Sequence, residues 1–266
     1  MNAREVIAFG RTAEILSFDN QQVLKLFKSG IPEHMITAEF NISKVVFNLG
    51  ILCPQPIELV DYGDRKGIIY SRVNGKTILN IISRKLWTIN KEAKRMARIH
   101  YHIHRHSASD IPKQKEIITE RIKQAPILST EEKRRMILNL NELKEDNKLC
   151  HGDYHPDNII LDDQNEWIID WMTGMEGNPA GDVARTFLLL KLGRMPEETP
   201  KIILGIVSRI RNQILKTYMN EYLKSSEITI KEIDQWITPV AAARLTEWIP
   251  DEEKRDLVEL IRRSIV

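Results

Sequence analysis

The chain has 266 residues, with 39 Lys or Arg against 37 Asp or Glu and a net charge of +2. A mixture of 42% hydrophobic and 29% charged residues excludes disorder as the main state, and so small a basic excess argues against nucleic acid as a partner. Phosphate or acidic ligands must then be met by local charges. Cys53 and Cys150 are the only cysteines, too few for a disulfide framework or a four-cysteine zinc site, and they read as reduced, buried thiols. The first residues, Met1 to Ile7, have no long apolar run, and later apolar stretches are interrupted at Lys191, Arg194, Lys201 and Arg209. The expectation is a soluble, cytoplasmic protein without a membrane partner.

Residues 6–9, 14–18 and 23–27 are short runs rich in β-branched and aromatic residues, separated by Gly10-Arg11-Thr12 and Asp19-Asn20. They predict an antiparallel meander. Pro32 suits the first residue of a helix whose apolar face carries Ile36, Phe40, Ile42 and Val46 and which Gly50 stops. Strands at 57–62 and 68–71 follow, joined across residues 63–67. Beyond Gly75 helical patterns dominate, at 84–106, 113–124, 130–145, 202–223, 230–248 and 251–265, interrupted by one β-rich island at 158–170. This is an α+β chain with a small antiparallel-sheet N-terminal lobe holding one main helix, residues 1–74, and a larger, mostly helical C-terminal lobe, residues 75–266.

The most informative segment is His151-Gly152-Asp153-Tyr154-His155-Pro156-Asp157-Asn158, followed by apolar runs at 159–161 and 167–169 and then Asp170-Trp171. Paired as a hairpin, the two runs carry Asn158 and Asp170 to the same open end. An amide oxygen and a carboxylate there suit a hard cation such as Mg²⁺. Asp153, five residues earlier, can serve as a base. On the other side of the sequence, Lys25 shares a strand face with Val23 and Phe27, where an ammonium needs a partner. Glu39, on the partly apolar stripe of the following helix, is the natural one, with Glu33 as its rival.

These residue types in this order resemble kinases, in which an Asp accepts the acceptor's proton, an Asn and a downstream Asp hold the metal, and a Lys set by a Glu holds the nucleotide phosphates. Because the loop reads H-G-D and Asp170 is followed by Trp, the segment is most similar to the aminoglycoside phosphotransferase and choline kinase-like superfamily of small-molecule kinases. That resemblance implies a bilobal protein kinase-like fold and transfer of the γ-phosphoryl group of ATP or GTP, with Mg²⁺, to a hydroxyl of a small molecule. It makes Asp153 the base, Asn158 and Asp170 the metal ligands, and Lys25 and Glu39 the nucleotide clamp. It also implies that the carbonyl of Ser71 and the amide of Val73 meet the purine edge, with Tyr70 behind them, and that Asp182 braces the loop while also serving as a helix N-cap.

The segment at 9–15 has one glycine and reads equally as a phosphate-covering loop or a plain hairpin turn. Gly75-Lys76-Thr77 mimics the end of a P-loop, but position 70 is Tyr where that motif needs glycine. His100, His102, His104 and His106 alternate, so on a helix two fall on each of two faces, too few together for a four-ligand metal site. The expectation is a structural His100 near the loop and a surface-facing pair. The basic end, Arg262-Arg263-Ser264-Ile265-Val266, is unlike the acidic pocket that a polycationic aminoglycoside requires. A nucleotide-binding regulatory module of pseudokinase type and a protein kinase are the alternatives.

Overall fold

A computed structural model describes residues 5–193 and 201–265 of the chain. The readings made on Met1–Arg4, Arg194 and Val266 lie outside the described residues. In chain order the elements are strands β1 (Val6–Phe9), β2 (Ala13–Ser17) and β3 (Gln22–Phe27), helix α1 (Glu33–Asn48), strands β4 (Pro56–Tyr62), β5 (Arg65–Ser71) and β6 (Lys76–Thr77), and helices α2 (Ile78–Arg84), α3 (Ile89–His104), α4 (Gln114–Gln124) and α5 (Thr130–Glu142). They continue with β7 (Lys148–Cys150), β8 (Ile159–Leu161), β9 (Glu166–Ile168), β10 (Met175–Gly177), α6 (Pro179–Leu192), α7 (Lys201–Ser225), α8 (Ile230–Arg244) and α9 (Asp251–Ile265). The α+β class read from the sequence is the one observed.

Two compact units emerge, Met1–Asn80 with Asp157–Gly174, and Ile81–Pro156 with Met175–Val266. In the first, five strands form an antiparallel sheet in the order β1-β2-β3-β5-β4. Alternation along β3 sorts its side chains: Leu24 and Leu26 pack with Leu16 and Ile69 on one face, while Phe27 packs with Ile36, Phe40, Ile68 and Tyr70 on the face that α1 covers. Lys25 therefore points into the α1 side. The hairpin between β4 and β5 is tighter than expected: Tyr62 pairs with Arg65, leaving only Gly63-Asp64 as the turn. Gly63, with φ of +66°, supplies the left-handed residue that such a short turn demands. The same unit contains a second, three-stranded sheet, β6-β8-β9. Gly75 lets the chain enter it, since a Cβ there would lie 2.5 Å from the carbonyl oxygen of Leu161.

Among the described residues the second unit is helical apart from the short β10-β7 pair. Its core includes Met96 and Ile103 of α3, Val183, Ala184 and Leu188 of α6, Tyr218 and Tyr222 of α7, and Trp236 of α8, all buried. Three helix boundaries differ from the sequence reading by three residues or more. The single helix expected at 84–106 is interrupted at Lys85, whose φ of −139° and ψ of 74° are not helical, so a 3₁₀ turn at Leu86–Thr88 precedes α3. Helix α5 stops when Leu143 turns extended, and α8 stops at Arg244. Apolar spacing persists through all three breaks, so periodicity cannot see them. Helix α6 escaped notice as a long helix because it is apolar on nearly every side and shows no polar stripe. Its N-cap is Asn178, whose side chain accepts from the Ala180 amide, with Pro179 in the first turn. Asp182 is therefore not the cap that the sequence suggested; it lies inside the helix with its carboxylate employed elsewhere.

Candidate active site

In the first unit Lys25 is the hub. Its Nζ donates to Glu39 Oε1 at 2.6 Å and to Asp170 Oδ1 at 2.9 Å. Glu33, the rival partner, pairs instead with Lys66 at 3.0 Å. Burial alone would lower the pKa of Lys25, but the charges of Asp170 and Glu39 outweigh it and raise the value, so the ammonium is permanently charged. Glu39 is only 1% exposed, and its burial raises its pKa against the pull of Lys25. The Tyr70 hydroxyl donates to the same Oε1 at 3.2 Å and lies 3.1 Å from Ser43 Oγ, while Glu39 Oε2 has no hydrogen-bond partner among the described residues. Sequence reasoning placed Tyr70 behind a nucleotide. In the structure its hydroxyl holds the carboxylate that in turn meets Lys25.

The hairpin forms as expected, with Ile159 opposite Ile168, and the Ile169 amide donates to the Asn158 carbonyl at 3.0 Å. Asn158 thus stands beside the residue preceding Asp170. Asp170 adopts a left-handed backbone, φ 64° and ψ 64°, a conformation rare outside glycine that directs its side chain to Lys25. Its side chain is 41% exposed, against 11% for Lys25. The half-exposed carboxylate of Asp170 and the side-chain amide of Asn158, at the joined ends of one hairpin, are hard-oxygen donors of the kind a divalent cation of the Mg²⁺ class takes. Ser71 ends β5, with its amide donating to Gln55 O at 2.9 Å, and Val73 lies two residues beyond it, outside regular structure.

The second unit holds the loop that carries Asp153. Gly152 has φ of +76°, which explains why the loop has glycine where protein kinases have arginine. The carboxylate of Asp182 gathers the loop: Oδ2 accepts from the His151 amide at 2.6 Å and Oδ1 from the Gly152 amide at 2.8 Å. The same Oδ2 meets Nε2 of His100 at 3.0 Å and of His104 at 3.2 Å. Their Nδ1 atoms meet the hydroxyls of Tyr218 at 2.6 Å and Tyr222 at 2.7 Å. Both imidazoles therefore carry the proton on Nε2, giving it to Asp182 and accepting from tyrosine. Burial and the neighbouring His104 push the His100 pKa down to about 3. Burial would raise Asp182, but the hydrogen bonds of the two histidines hold it well below the usual range. His100, His104 and Asp182 converge as metal ligands would, yet each ring nitrogen already has a partner, and the cluster serves as a brace. His104 is buried beside His100, whereas His102 is exposed and His106 half-buried.

Asp153 itself lies 3.3 Å from Nη2 of Arg185, whose Nε donates to the Gly152 carbonyl at 3.1 Å, and His155 Nε2 is 3.5 Å from its other oxygen. Burial would raise the Asp153 pKa, but His155 and Arg185 outweigh it and keep the carboxylate ionised. Sequence reasoning missed Arg185, together with Glu247, which Arg185 Nη1 meets at 2.7 Å. The only available signal was a charged residue within the apolar run of α6. The partner, 62 residues further along, had none.

These arrangements define a class: a protein kinase-like fold with a buried Lys–Glu pair, an adjacent Asp, and a braced His-Gly-Asp loop. Residues 17–205 match the family described as the phosphotransferase enzyme family, and the chain belongs to it. It is an enzyme that transfers a phosphoryl group to a hydroxyl of a small molecule. Among solved structures it is similar to a thermostable mutant of aminoglycoside phosphotransferase APH(4)-Ia, at 12% identity and a TM-score of 0.66 over 99% of this chain and 94% of that one. An aminoglycoside-3'-phosphotransferase of type VIII matches at 15% identity and 0.63, covering 91% and 93%, and amicoumacin kinase hAmiN at 12% and 0.60, covering 97% and 86%. No curated protein sequence matches. Among the described residues no helix is long and apolar enough to cross a membrane.

Proposed function

We propose that the chain moves the γ-phosphoryl group of ATP or GTP to a small-molecule hydroxyl, with residues 1–74 as the nucleotide-binding lobe and 75–266 as the catalytic and acceptor-binding lobe. The observation that carries this is Lys25 held between Glu39 at 2.6 Å and Asp170 at 2.9 Å. A permanently charged ammonium between two carboxylates is a cation ready to exchange one partner for phosphate. Glu39 keeps the lysine aimed, while half-exposed Asp170 is the partner it can share. Asn158 and Asp170 are the residues that would hold Mg²⁺, which when bound neutralises phosphate charge. Ser71 and Val73 would hold the purine edge through their backbone groups. Asp153, ionised by its cationic neighbours, orients the acceptor hydroxyl and takes its proton. Structures of similar proteins with AMP-PNP and Ca²⁺, and with GDP, support a nucleotide donor of either base and a divalent cation.

The test is transfer of labelled phosphate from ATP and from GTP, with and without Mg²⁺, to a panel of hydroxyl compounds. Mg²⁺-dependent transfer that disappears in Asp153→Asn is expected. Undiminished transfer in that variant would overturn the role of Asp153, and absence of saturable nucleotide binding would overturn the reading altogether.

A further inference from the structure

The charges around Asp153 within the second unit are unevenly satisfied, and the imbalance bears on the acceptor. Arg185 is spent on Asp153, the Gly152 carbonyl and Glu247. Arg244 is spent on Glu247 at 2.7 Å and Glu253 at 2.8 Å, and its side chain is almost fully buried. Asp153, Glu247 and Glu253 are thus answered by two saturated guanidinium groups. A third belongs to Arg121, on α4. Among the described residues its one partner is Glu247, reached by one nitrogen at 3.4 Å, and Glu247 already serves the other two arginines. The Arg121 side chain is 35% exposed, and its planar fork has donors beyond the one that meets Glu247. Contacts join it to the base: Glu247 meets Arg185 at 2.7 Å, and Arg185 lies 3.3 Å from Asp153. Burial lowers the pKa of Arg121. A partly dehydrated guanidinium with one long, shared contact is short of anionic partners. Trp248 follows Glu247 in the sequence and is 77% exposed, an uncovered aromatic side chain one residue from the cation's partner.

A polycation would find no spare carboxylate in this group, because Glu247 and Glu253 are consumed by arginine, and Arg121 would repel it. An anion finds an unsaturated fork. We infer that the acceptor is a hydroxyl-bearing organic anion, a carboxylate or phosphate monoester, whose negative group is held by Arg121 while its hydroxyl meets Asp153. This rests on the phosphotransferase reading and names the acceptor class for the same site. Arg121 is then a specificity-determining residue: it binds the acceptor and takes no part in the transfer itself. In the transfer, the bond from the acceptor oxygen to the γ-phosphorus forms, the bond to the nucleoside diphosphate breaks, and the hydroxyl proton passes to Asp153.

Binding is measured first, by tryptophan fluorescence of the full chain, with Trp248→Phe as the signal control. The probes are glycerate and glycerol 3-phosphate as anions, glycerol as the neutral analogue, and kanamycin as the polycation. Saturable responses to an anionic probe are expected, with glycerol and kanamycin much weaker, and the carboxylate and phosphate arms separate the two anion sources. In Arg121→Met the preference for the anionic probe over glycerol should fall about tenfold or more, the loss of a charged hydrogen-bonding partner, and Arg121→Lys should restore part of it. A matched transfer assay should show the same effect as a rise in KM for the anionic acceptor. Tighter binding of kanamycin than of either anion, no saturable response to any anionic probe, or an Arg121→Met preference equal to wild type would each overturn the inference. Failure of nucleotide binding, measured separately, would instead strike the phosphotransferase reading.

Discussion

Each unit contains a buried charge network, and the two are built on opposite plans. In the first, Lys25, Glu39 and Asp170 form a line that is closed at one end and open at the other: Glu39 is sealed, Asp170 is 41% exposed. In the second, Asp182 is sealed on every side, with two backbone amides and two imidazoles on its two oxygens. A saturated network buried in low dielectric holds one geometry, because any displacement strands a polar group. An open one can trade partners. The difference separates a brace, which must not move, from a clamp, which must admit phosphate.

The comparison can be broken most severely at the base that the brace supports. Asp153→Asn should lower turnover by about 10²–10⁴-fold, the usual contribution of a positioned base, while leaving nucleotide affinity in place. A drop in nucleotide affinity as large as the drop in turnover would contradict the division of labour. Next is the brace: Asp182→Ala strands two amides and two histidines, and chemical denaturation should show a loss of about 3–5 kcal/mol. A smaller cost would mean the network is not saturated as described. Glu39→Gln leaves Lys25 with Asp170 alone, so the expected result is a moderate rise in KM for the nucleotide and a stability loss below that of Asp182→Ala.

The pH dependence follows from His100. Its folded pKa of about 3 lies below the unfolded value near 6.5, so between those values the unfolded chain binds the extra proton. Stability is complete above about pH 6.5 and is lost as pH falls toward 3, with a slope approaching about 1.4 kcal/mol per pH unit for one such group. Thermal melts across this range should show that slope, and His100→Gln should flatten it. The smallest effect belongs to Ser43→Ala, which removes one hydrogen bond from Tyr70 and should cost about 0.5–1.5 kcal/mol while leaving the Lys25–Glu39 contact intact.

How much of this was legible beforehand depended on distance along the chain. Asn158 and Asp170 could be brought together on paper because one short hairpin joins them, and its register follows from two apolar runs. Lys25 and Glu39 could be paired because each is a charge on an apolar face, and a buried charge requires a partner. The third member of that line, Asp170, is 145 residues from Lys25, and no local pattern ties them. The Asn178 cap was mistaken for Asp182 because both precede or begin the same helix and both have capping side chains; only the backbone shows where the helix starts.

By itself the amino-acid sequence determined the α+β class, the alternating strand faces, the hairpin and the residue types of the loop, since all of these follow from local periodicity, turn chemistry and short spacing. Tertiary structure alone decided who neutralises whom. Arg185 joining Asp153 to Glu247, the tyrosines of α7 reaching the histidines of α3, and Arg121 left with one shared carboxylate are outcomes of helix packing across many tens of residues. The physical reason is that a charge carries no sequence label for its partner: the pairing is set by which surfaces the apolar core brings within a few ångströms, and that core is a property of the whole fold.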